Sequence, residues 1–283
     1  MQKEQINIRD PFVVYENGFY YLYGTRAKDF GAKTGGFDVY ISKDLTEWSE
    51  PIACFDSEKY GLNRKVNWAP EVHKYHGKYY MFATFTKENG LRGTYSLISD
   101  HLTGPFTPHS KGALTPAEWE CLDGTLYVDE DGTPYLVFCH EHTQILDGTV
   151  CYVKLNDDLS APDGEVVTLF AASSCEYVTP IQKTHFVTDG PFMYRTKTGE
   201  LLMIWSSFIQ GKYAEFVVRF KNGRLGLEFE HRKPLLDNDG GHGMIFSDAK
   251  NTYFTYHTPN QMHCERPQFC IIKDDGDYIV IEK

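Results

Sequence analysis

Five segments of the sequence repeat one plan, and this repeat is the strongest constraint on the fold. Each segment opens on a short residue, runs apolar for several positions, turns, and continues into a stretch rich in Tyr, Phe, Leu and Met. The segments begin 52 to 66 residues apart. They are DPFVVYENGFYYLYGT from Asp10, APEVHKYHGKYYMFAT from Ala69, DGTLYVDEDGTPYLVFCH from Asp123, DGPFMYRTKTGELLMIWSS from Asp189 and GHGMIFSDAKNTYFTYHT from Gly241. A repeat of this length is typical of propellers and solenoids.

The turn inside each segment carries a hairpin signal, and each hairpin leaves room for two more strands. The turn residues are Asn17-Gly18, His76-Gly77, Asp131-Gly132, Thr198-Gly199 and, less clearly, residues 249–251. Four strands in each of five units predict an all-β protein, a five-bladed β-propeller forming a single domain over residues 1–283. An ordinary β-sandwich is the alternative, but the shared layout favours the propeller. We expect the fifth unit to supply its own four strands.

Bulk composition excludes several classes of protein. The net charge is −11, whereas a protein that binds nucleic acid is expected to present a basic surface. No apolar run is long enough to span a membrane. The seven cysteines show no CxxC pair, and residues 1–12 lack the pattern of a signal peptide. These features predict a cytoplasmic protein, or a secreted one if a leader was removed. They leave the oligomeric state open.

The repeat brings acidic residues together. The first strand of each propeller blade lines the central axis, so Asp10, Asp123, Asp189 and His242 are predicted to converge there. A single Asp before Gly or Pro is ordinarily a turn residue. Three at equivalent places in three repeats point instead to a site.

The order of the blades suggests roles for these acids. Asp123 and Asp189 belong to neighbouring blades, and two close carboxyls disfavour double ionisation, so one of them should keep its proton and serve as a general acid. Asp10 is expected to stand apart across the axis, ionised, as a general base. A separated acid and base is the layout of an inverting glycosidase, with carboxyl groups about 6.5–9.5 Å apart.

Taken in order, these motifs resemble glycoside hydrolase family 43, whose five-bladed propellers include arabinanases, α-L-arabinofuranosidases and β-xylosidases. The resemblance covers nearly the whole chain. It runs through RDPFVV (9–14), NWAPEV (67–72), LDGTLYVDEDGTPYLV (122–137), DGPFMYR (189–195), GGHGM (240–244) and HTPN…ERP (257–267).

The resemblance implies an inverting, exo-acting glycosidase with no required cofactor, acting on an oligosaccharide or polysaccharide. By resemblance, Asp10 is the general base, Asp123 raises the pKa of the acid and orients it, and Asp189 occupies the position of the general acid. The expected terminal sugar is α-L-arabinofuranose, with β-D-xylose next and another furanose as a further alternative. Propeller fructosidases, which retain configuration through an Asp nucleophile, are the rival among hydrolases.

Position 189 departs from the family pattern, which usually has Glu before Gly-Pro. Losing one methylene shortens the side chain by roughly 1.5 Å, one C–C bond. Either the strand lies closer to the axis, or the substrate is shaped differently, or the site is weakened and the protein is a sugar-binding propeller with little turnover. Glu141 is a candidate substitute acid, although its place after the second strand of blade 3 favours a loop or substrate contact.

Three further residues are candidates for the site. Trp68 is expected either to stack on a sugar ring or to pack between blades. Arg266 is expected to reach sugar hydroxyls at the rim, with a structural pair to Glu265 or another carboxylate as the alternative. The family resemblance also implies a calcium ion on the axis beside His242, held partly by waters, although a structural or water-contacting role for this histidine is the alternative. The loops at 25–36 and 85–93 are predicted to set sugar and linkage.

Overall fold

The computed structural model, which describes residues 1–29, 35–63 and 65–282, is a five-bladed β-propeller. Each blade is an antiparallel sheet of four strands taken from one continuous stretch of chain, in sequence order from the axis outwards. The fold predicted from the repeat is therefore confirmed.

The strands of each blade follow the repeat closely. Blade 1 contains β1 Ile8–Glu16, β2 Phe19–Arg26, β3 Gly36–Ser42 and β4 Ile52–Asp56. Blade 2 contains β5 Asn67–Tyr75, β6 Lys78–Thr86, β7 Arg92–Ser99 and β8 Thr107–Pro108. Blade 3 contains β9 Cys121–Val128, β10 Pro134–His140, β11 Thr149–Lys154 and β12 Val167–Ala171. Blade 4 contains β13 Asp189–Arg195, β14 Leu201–Ile209, β15 Lys212–Phe220 and β16 Phe229–Leu236. Blade 5 contains β17 Gly241–Ser247, β18 Thr252–Thr258, β19 Arg266–Asp274 and β20 Ile279–Ile281.

Helical structure in the described chain is confined to short connections. One α-helical turn, α1 His142–Ile145, follows β10, and the 3₁₀ turns are Lys3–Gln5, Ala27–Asp29, Ala172–Ser174 and Lys221–Gly223. Within the same ranges, no helix has the length and apolar character needed to cross a membrane.

Hairpin turns between the first two strands of each blade form where the sequence predicts them. Asn17 and Gly18 have φ of 53° and 82°, as a two-residue turn with the twist of the flanking strands requires. His76 and Gly77 repeat this geometry, with φ of 45° and 79°. The local turn chemistry therefore fixes the register of these hairpins.

Blade 5 supplies its own four strands, so the ring closes without a strand shared between the two ends of the chain. Side-chain hydrogen bonds join blade 5 to blade 1 instead. The backbone N–H of Asp10 donates to Nδ1 of His257 at 3.1 Å, and Nδ2 of Asn7 donates to the carbonyl of Glu265 at 2.9 Å. One of the hydrogen bonds that close the ring is therefore made by the axial residue Asp10 itself.

Apolar side chains between neighbouring blades form the core. Trp205 of β14 is fully buried and packs against Phe170 and Phe216, with ring centroids 5.1 and 5.0 Å away. Trp205 thus joins the outer strand of blade 3 to the centre of blade 4.

Trp205→Ala is expected to lower the free energy of unfolding by about 3–5 kcal/mol, because it removes a large buried ring and leaves a cavity. Urea denaturation measures the loss. The matched control is Leu227→Ala, since Leu227 is 64% exposed, and its effect should stay within about 0.5 kcal/mol. Equal effects of the two changes would contradict the assignment of Trp205 to the core.

Candidate active site

Each innermost strand is interrupted near its start by the same β-bulge. The pairing with the second strand breaks between Arg9 and Phe12, Trp68 and Glu71, Leu122 and Thr125, Asp189 and Phe192, and Gly241 and Met244. One residue inside each bulge has a positive φ of 45–55°: Asp10, Ala69, Asp123, Gly190 and His242. A bulge bends the strand and re-aims a side chain, here next to the axis.

The bulges correct the predicted equivalence of the three acids. Asp10 and Asp123 occupy the bulge position, but Asp189 lies one residue before it, in the place of Arg9 and Trp68. Gly190 takes the bulge position in blade 4. A Cβ at Gly190 would lie 2.6–3.0 Å from the ring of His242, so only glycine fits there. Asp189 consequently approaches the axis from a different direction than the other two acids.

A ring of hydrogen bonds links the bulges of neighbouring blades. The backbone N–H of each bulge residue donates to a side chain of the preceding blade: Ala69 to Thr25, Asp123 to Thr84, Gly190 to Asp123, His242 to Ser206 and Asp10 to His257. In blade 3 the residue equivalent to Thr25 is Cys139, and Oδ2 of Asp123 accepts the Gly190 N–H at 3.1 Å instead. Asp123 therefore holds the backbone beside Asp189.

A cavity of about 340 Å³ opens over these bulges. Six of the seven predicted site residues line it: Asp10, Asp123, Asp189, Trp68, Glu141 and His242. Arg9, Arg92 and Asn260 line it as well, and Arg92 comes from the loop region 85–93 predicted to shape the site. Of the other predicted loop, 25–36, residues 30–34 lie outside the described residues.

Arg266 does not reach this cavity. It begins β19, the third strand of blade 5, and its guanidinium donates to the carbonyls of Glu4 and Glu265 at 2.7 and 2.8 Å. Arg9 lines the cavity together with Arg92, and Nη1 of Arg9 lies 3.2 Å from Oε1 of Glu265. The predicted rim contact at Arg266 is therefore replaced by an arginine next to Asp10.

Asp10 is surrounded by groups that favour its charged form. Oδ1 lies 3.1 Å from Nδ1 of His242 and 3.3 Å from Nε of Arg9, and Oδ2 accepts the hydroxyl of Thr25 at 2.6 Å. Burial alone would raise the pKa of Asp10, but the charges of His242 and Arg9 outweigh it, and the pKa is well below the usual range. Asp10 is thus a buried carboxylate that stays ionised.

The pKa values of Asp123 and Asp189 shift in the direction opposite to that of Asp10. Burial raises the pKa of Asp123. The charge of His242 opposes this rise, and the charges of Asp189 and Asp10 add to it. Asp189 keeps part of its surface open to the cavity, but burial among protein atoms raises its pKa, as does the charge of Glu141. A site that holds one carboxyl ionised and raises the pKa of others close by is a recurrent feature of acid–base catalysis.

His242 lies between two of the carboxyls, those of Asp10 and Asp123. Its Nδ1 is 3.1 Å from Oδ1 of Asp10 and 3.7 Å from Oδ2 of Asp123, so these two carboxyl oxygens lie no more than 6.8 Å from each other. Burial disfavours the imidazolium, but Asp10 and Asp123 raise the pKa of His242 overall. The charges of His242 and Arg9, rather than distance from the other carboxyls, keep Asp10 ionised.

A calcium ion beside His242 would find few protein ligands. The described residues contain no group of three or more His, Cys, Asp or Glu side chains arranged to hold a metal ion. Calcium takes six to eight oxygen ligands. The side chains present do not compose such a site by themselves, and no catalytic step is assigned to a metal.

Glu141 and Trp68 share Arg92 as a partner on one wall of the cavity. Nη2 of Arg92 donates to Oε2 of Glu141 at 2.6 Å, and the guanidinium lies over the ring of Trp68, 5.1 Å from its centroid. Thr143 also donates to Oε2 of Glu141, at 2.7 Å. The arginine therefore covers one face of Trp68 and holds the carboxyl of Glu141 in place.

A fifth carboxyl, Glu215, is fully buried behind the bulge of blade 5. Its Oε2 accepts the hydroxyl of Ser206 at 2.7 Å and the N–H of Gly243 at 3.2 Å, while Oε1 has no hydrogen-bond partner among the described residues. Burial raises the pKa of Glu215 to about 7, and the two hydrogen bonds oppose the rise only in part. Glu215 is therefore protonated in the folded protein at mildly acidic pH.

Glu215 is expected to make the wild type less stable as pH rises from about 4.5 to 7. In this window the folded protein keeps the Glu215 proton and the unfolded chain releases it, so stability is full below the unfolded pKa and falls above it. The loss amounts to about 3 kcal/mol. Denaturation midpoints of wild type and Glu215→Gln, measured from pH 4 to 8, should converge at low pH and separate at high pH in favour of the variant. Parallel curves would contradict the buried carboxyl.

Several residues of this site were not predicted from the sequence. Arg9 stands inside the RDP motif, and its position next to Asp10 was the available signal. Tyr213 and Glu215 lie on β15, the third strand of blade 4, and reach the axis across β14. No local motif marks them, because their role depends on how the strands of one blade are paired.

Known proteins resemble this chain in sequence and structure. A family model described as "Glycosyl hydrolases family 43" matches residues 5–273. A crystal structure of endo-arabinase from Bacteroides thetaiotaomicron VPI-5482 is 36% identical, with a TM-score of 0.89 and coverage of 98% of this chain and 99% of that one. The Xylosidase/arabinosidase 43A of Humicola insolens is 32% identical over 145 residues, 46% of this chain and 42% of that protein.

A second sequence relative is the extracellular endo-alpha-(1->5)-L-arabinanase 1 of Bacillus subtilis (strain 168). It is 23% identical over 144 residues, 46% of this chain and 42% of that protein. The matches to these two sequence relatives therefore span less than half of the relatives' length.

Proposed function

The chain belongs to glycosyl hydrolases family 43, and from this we propose that it is an inverting hydrolase of α-L-arabinofuranosyl linkages in plant-type oligosaccharides or polysaccharides. The observation that carries the proposal is that carboxyls around one cavity have pKa values shifted in opposite directions. Asp10 is held ionised while Asp123 and Asp189 are pushed towards their neutral forms. A base and an acid ready at the same pH are what glycoside hydrolysis by inversion needs.

Asp10 is the proposed general base. Its carboxylate takes a proton from a water molecule as that water attacks the anomeric carbon. Thr25, His242 and Arg9 hold the carboxylate in place, and their contacts keep it ionised at the pH where the acid is still protonated. General-base catalysis of this kind contributes roughly 10²- to 10⁴-fold.

Asp189 is the proposed general acid, and Asp123 supports it. Asp189 gives its proton to the glycosidic oxygen as the bond to the anomeric carbon breaks, so the leaving group departs as a neutral alcohol. Burial and the charge of Glu141 favour the protonated form of Asp189. Oδ2 of Asp123 accepts the N–H of the neighbouring Gly190, which helps to orient the acid. Before the next turnover Asp10 releases its proton to solvent and Asp189 takes one up from solvent.

The arabinose preference is supported by the names of the relatives. The 36% identical structure, which covers nearly all of both chains, is called an endo-arabinase, and the Humicola insolens relative is called a xylosidase/arabinosidase. We propose release of single terminal arabinose units as the mode of action, as predicted from the sequence. Endo cleavage is the second candidate, favoured by the name of that structural relative.

Two measurements test the proposal. Aryl α-L-arabinofuranoside, β-D-xyloside and β-D-galactofuranoside are incubated with the protein, and NMR records the first-formed anomer of the sugar released. We expect arabinose of inverted configuration; a retained anomer would overturn the mechanism, and hydrolysis of another sugar alone would overturn the specificity. Linear arabino-oligosaccharides then separate the modes, since exo action releases arabinose from the start and endo action releases shorter oligosaccharides first.

A further inference from the structure

Asp189 has one direct side-chain hydrogen bond that the roles above leave unused. The hydroxyl of Tyr213 donates to Oδ2 of Asp189 at 2.9 Å. Tyr213 lies on β15, two strands away from Asp189 in the same blade, and only 1% of it is exposed. A buried hydroxyl aimed at a cavity carboxyl is a specific placement, because an unpaired hydroxyl there would be unfavourable.

The ring of Tyr213 is fixed on several sides. It stacks on His257 with centroids 5.6 Å apart and an interplanar angle of 27°, and it lies 5.2 Å from the ring of Phe208. A Cβ on Gly241 would lie 2.8 Å from two ring carbons of Tyr213, so this glycine makes room for the ring. The hydroxyl therefore has little freedom to turn away from Asp189.

We propose that Tyr213 is the positioning residue of the general acid, holding Oδ2 of Asp189 as an acceptor so that Oδ1 carries the transferable proton. This inference rests on the proposed role of Asp189. The chemistry is consistent: a tyrosine O–H donates, so the oxygen that it contacts accepts, and the acidic proton belongs on the other oxygen. Burial and the nearby Asp189 raise the pKa of Tyr213 well above its ordinary value, so the hydroxyl remains a donor.

The same contact accounts for an aspartate at this position. A shorter acid has less reach, and an acid misplaced by about 1 Å loses roughly 10²-fold in rate. Tyr213 restricts the shorter side chain to one orientation. Tyr213, on the third strand of blade 4, thus supports the acid Asp189 on the first strand of the same blade.

The test is Tyr213→Phe, which keeps the ring and removes the hydroxyl. Two glycosides of the hydrolysed sugar are compared, one with a 2,4-dinitrophenyl leaving group and one with an alkyl leaving group. The dinitrophenolate departs without a proton, so only the alkyl glycoside depends on the acid. We expect kcat to fall about 10-fold or more for the alkyl glycoside and less than about 3-fold for the dinitrophenyl glycoside, with KM nearly unchanged.

The pH profile gives a second readout that a purely structural role would not move. The Tyr213 hydroxyl stabilises ionised Asp189, so its removal raises the pKa of the acid. The alkaline limb of kcat for the alkyl glycoside should therefore move up by about half a unit to one unit. An unmoved limb together with equal losses on both glycosides would overturn the proposal.

A matched control and an independent measurement keep the outcomes apart. Tyr194 also donates to an aspartate, Oδ2 of Asp274 at 2.9 Å, but lines no part of the cavity, so Tyr194→Phe should leave both rates unchanged. Asp189→Asn serves as reference: if it shows no dependence on the leaving group, the proposed acid fails, whereas failure of Tyr213→Phe alone overturns only this inference.

Denaturation midpoints of Tyr213→Phe, Asp189→Ala and the double variant should be non-additive; additive shifts would also overturn it.

Discussion

Asp10→Asn is expected to lower kcat/KM by about 10³- to 10⁴-fold while the protein remains folded. The change keeps the shape of the side chain and the acceptor that Thr25 needs, but it removes the carboxylate that takes the proton from water. His242 also loses its nearest negative charge, so its pKa should fall. Steady-state kinetics on the hydrolysed aryl glycoside, with circular dichroism to verify folding, measure the effect.

Azide separates loss of the base from a structural defect. A small anion does not need deprotonation, so it should restore turnover of Asp10→Asn and yield a glycosyl azide of inverted configuration. Asp274→Asn is the matched control, because Asp274 accepts a tyrosine hydroxyl but does not line the cavity. Retained activity in Asp10→Asn, or a loss of the same size in Asp274→Asn, would rule out Asp10 as the base.

The propeller itself could be predicted because its information is local and repeated. The hairpin turns of blades 1 to 4 each carry a glycine with positive φ, at Gly18, Gly77, Gly132 and Gly199. Each pair of strands also carries its own apolar pattern. Five copies of one supersecondary unit then define the architecture without any knowledge of distant contacts. Asp10 and Asp123 were placed correctly for the same reason, as both occupy the bulge position of their blade.

The details of the site could not be predicted because they depend on register and on contacts between strands. An apolar pattern does not reveal a bulge, so Asp189 was assigned to the position that Gly190 occupies. His242 was predicted on the axis, but its position between Asp10 and Asp123 depends on contacts between side chains of three blades. Arg266 was expected at the rim, yet its guanidinium donates to the backbone carbonyls of Glu4 and Glu265.

Asp189→Asn is expected to lower kcat for an alkyl glycoside by about 10²- to 10⁴-fold and to spare the dinitrophenyl glycoside, since an amide cannot supply the proton that a poor leaving group needs. The hydroxyl of Tyr213 still finds an acceptor in the amide oxygen, so the fold should persist. Kinetics on the two leaving groups measure the contrast. Equal losses on both would mean that Asp189 is not the acid.

Asp189→Glu then distinguishes a fitted acid from a weakened one. If the aspartate were a degraded form of the family glutamate, lengthening it by one C–C bond would increase the rate. The contacts of Asp189 argue for the opposite result: the side chain already meets Tyr213 at 2.9 Å, and the next residue, Gly190, lies too close to the ring of His242 to admit a Cβ. A longer carboxyl would overshoot that hydroxyl, and we expect Asp189→Glu to lower kcat about 10-fold or more. A gain in rate would instead favour a sugar-binding propeller that has lost most of its turnover.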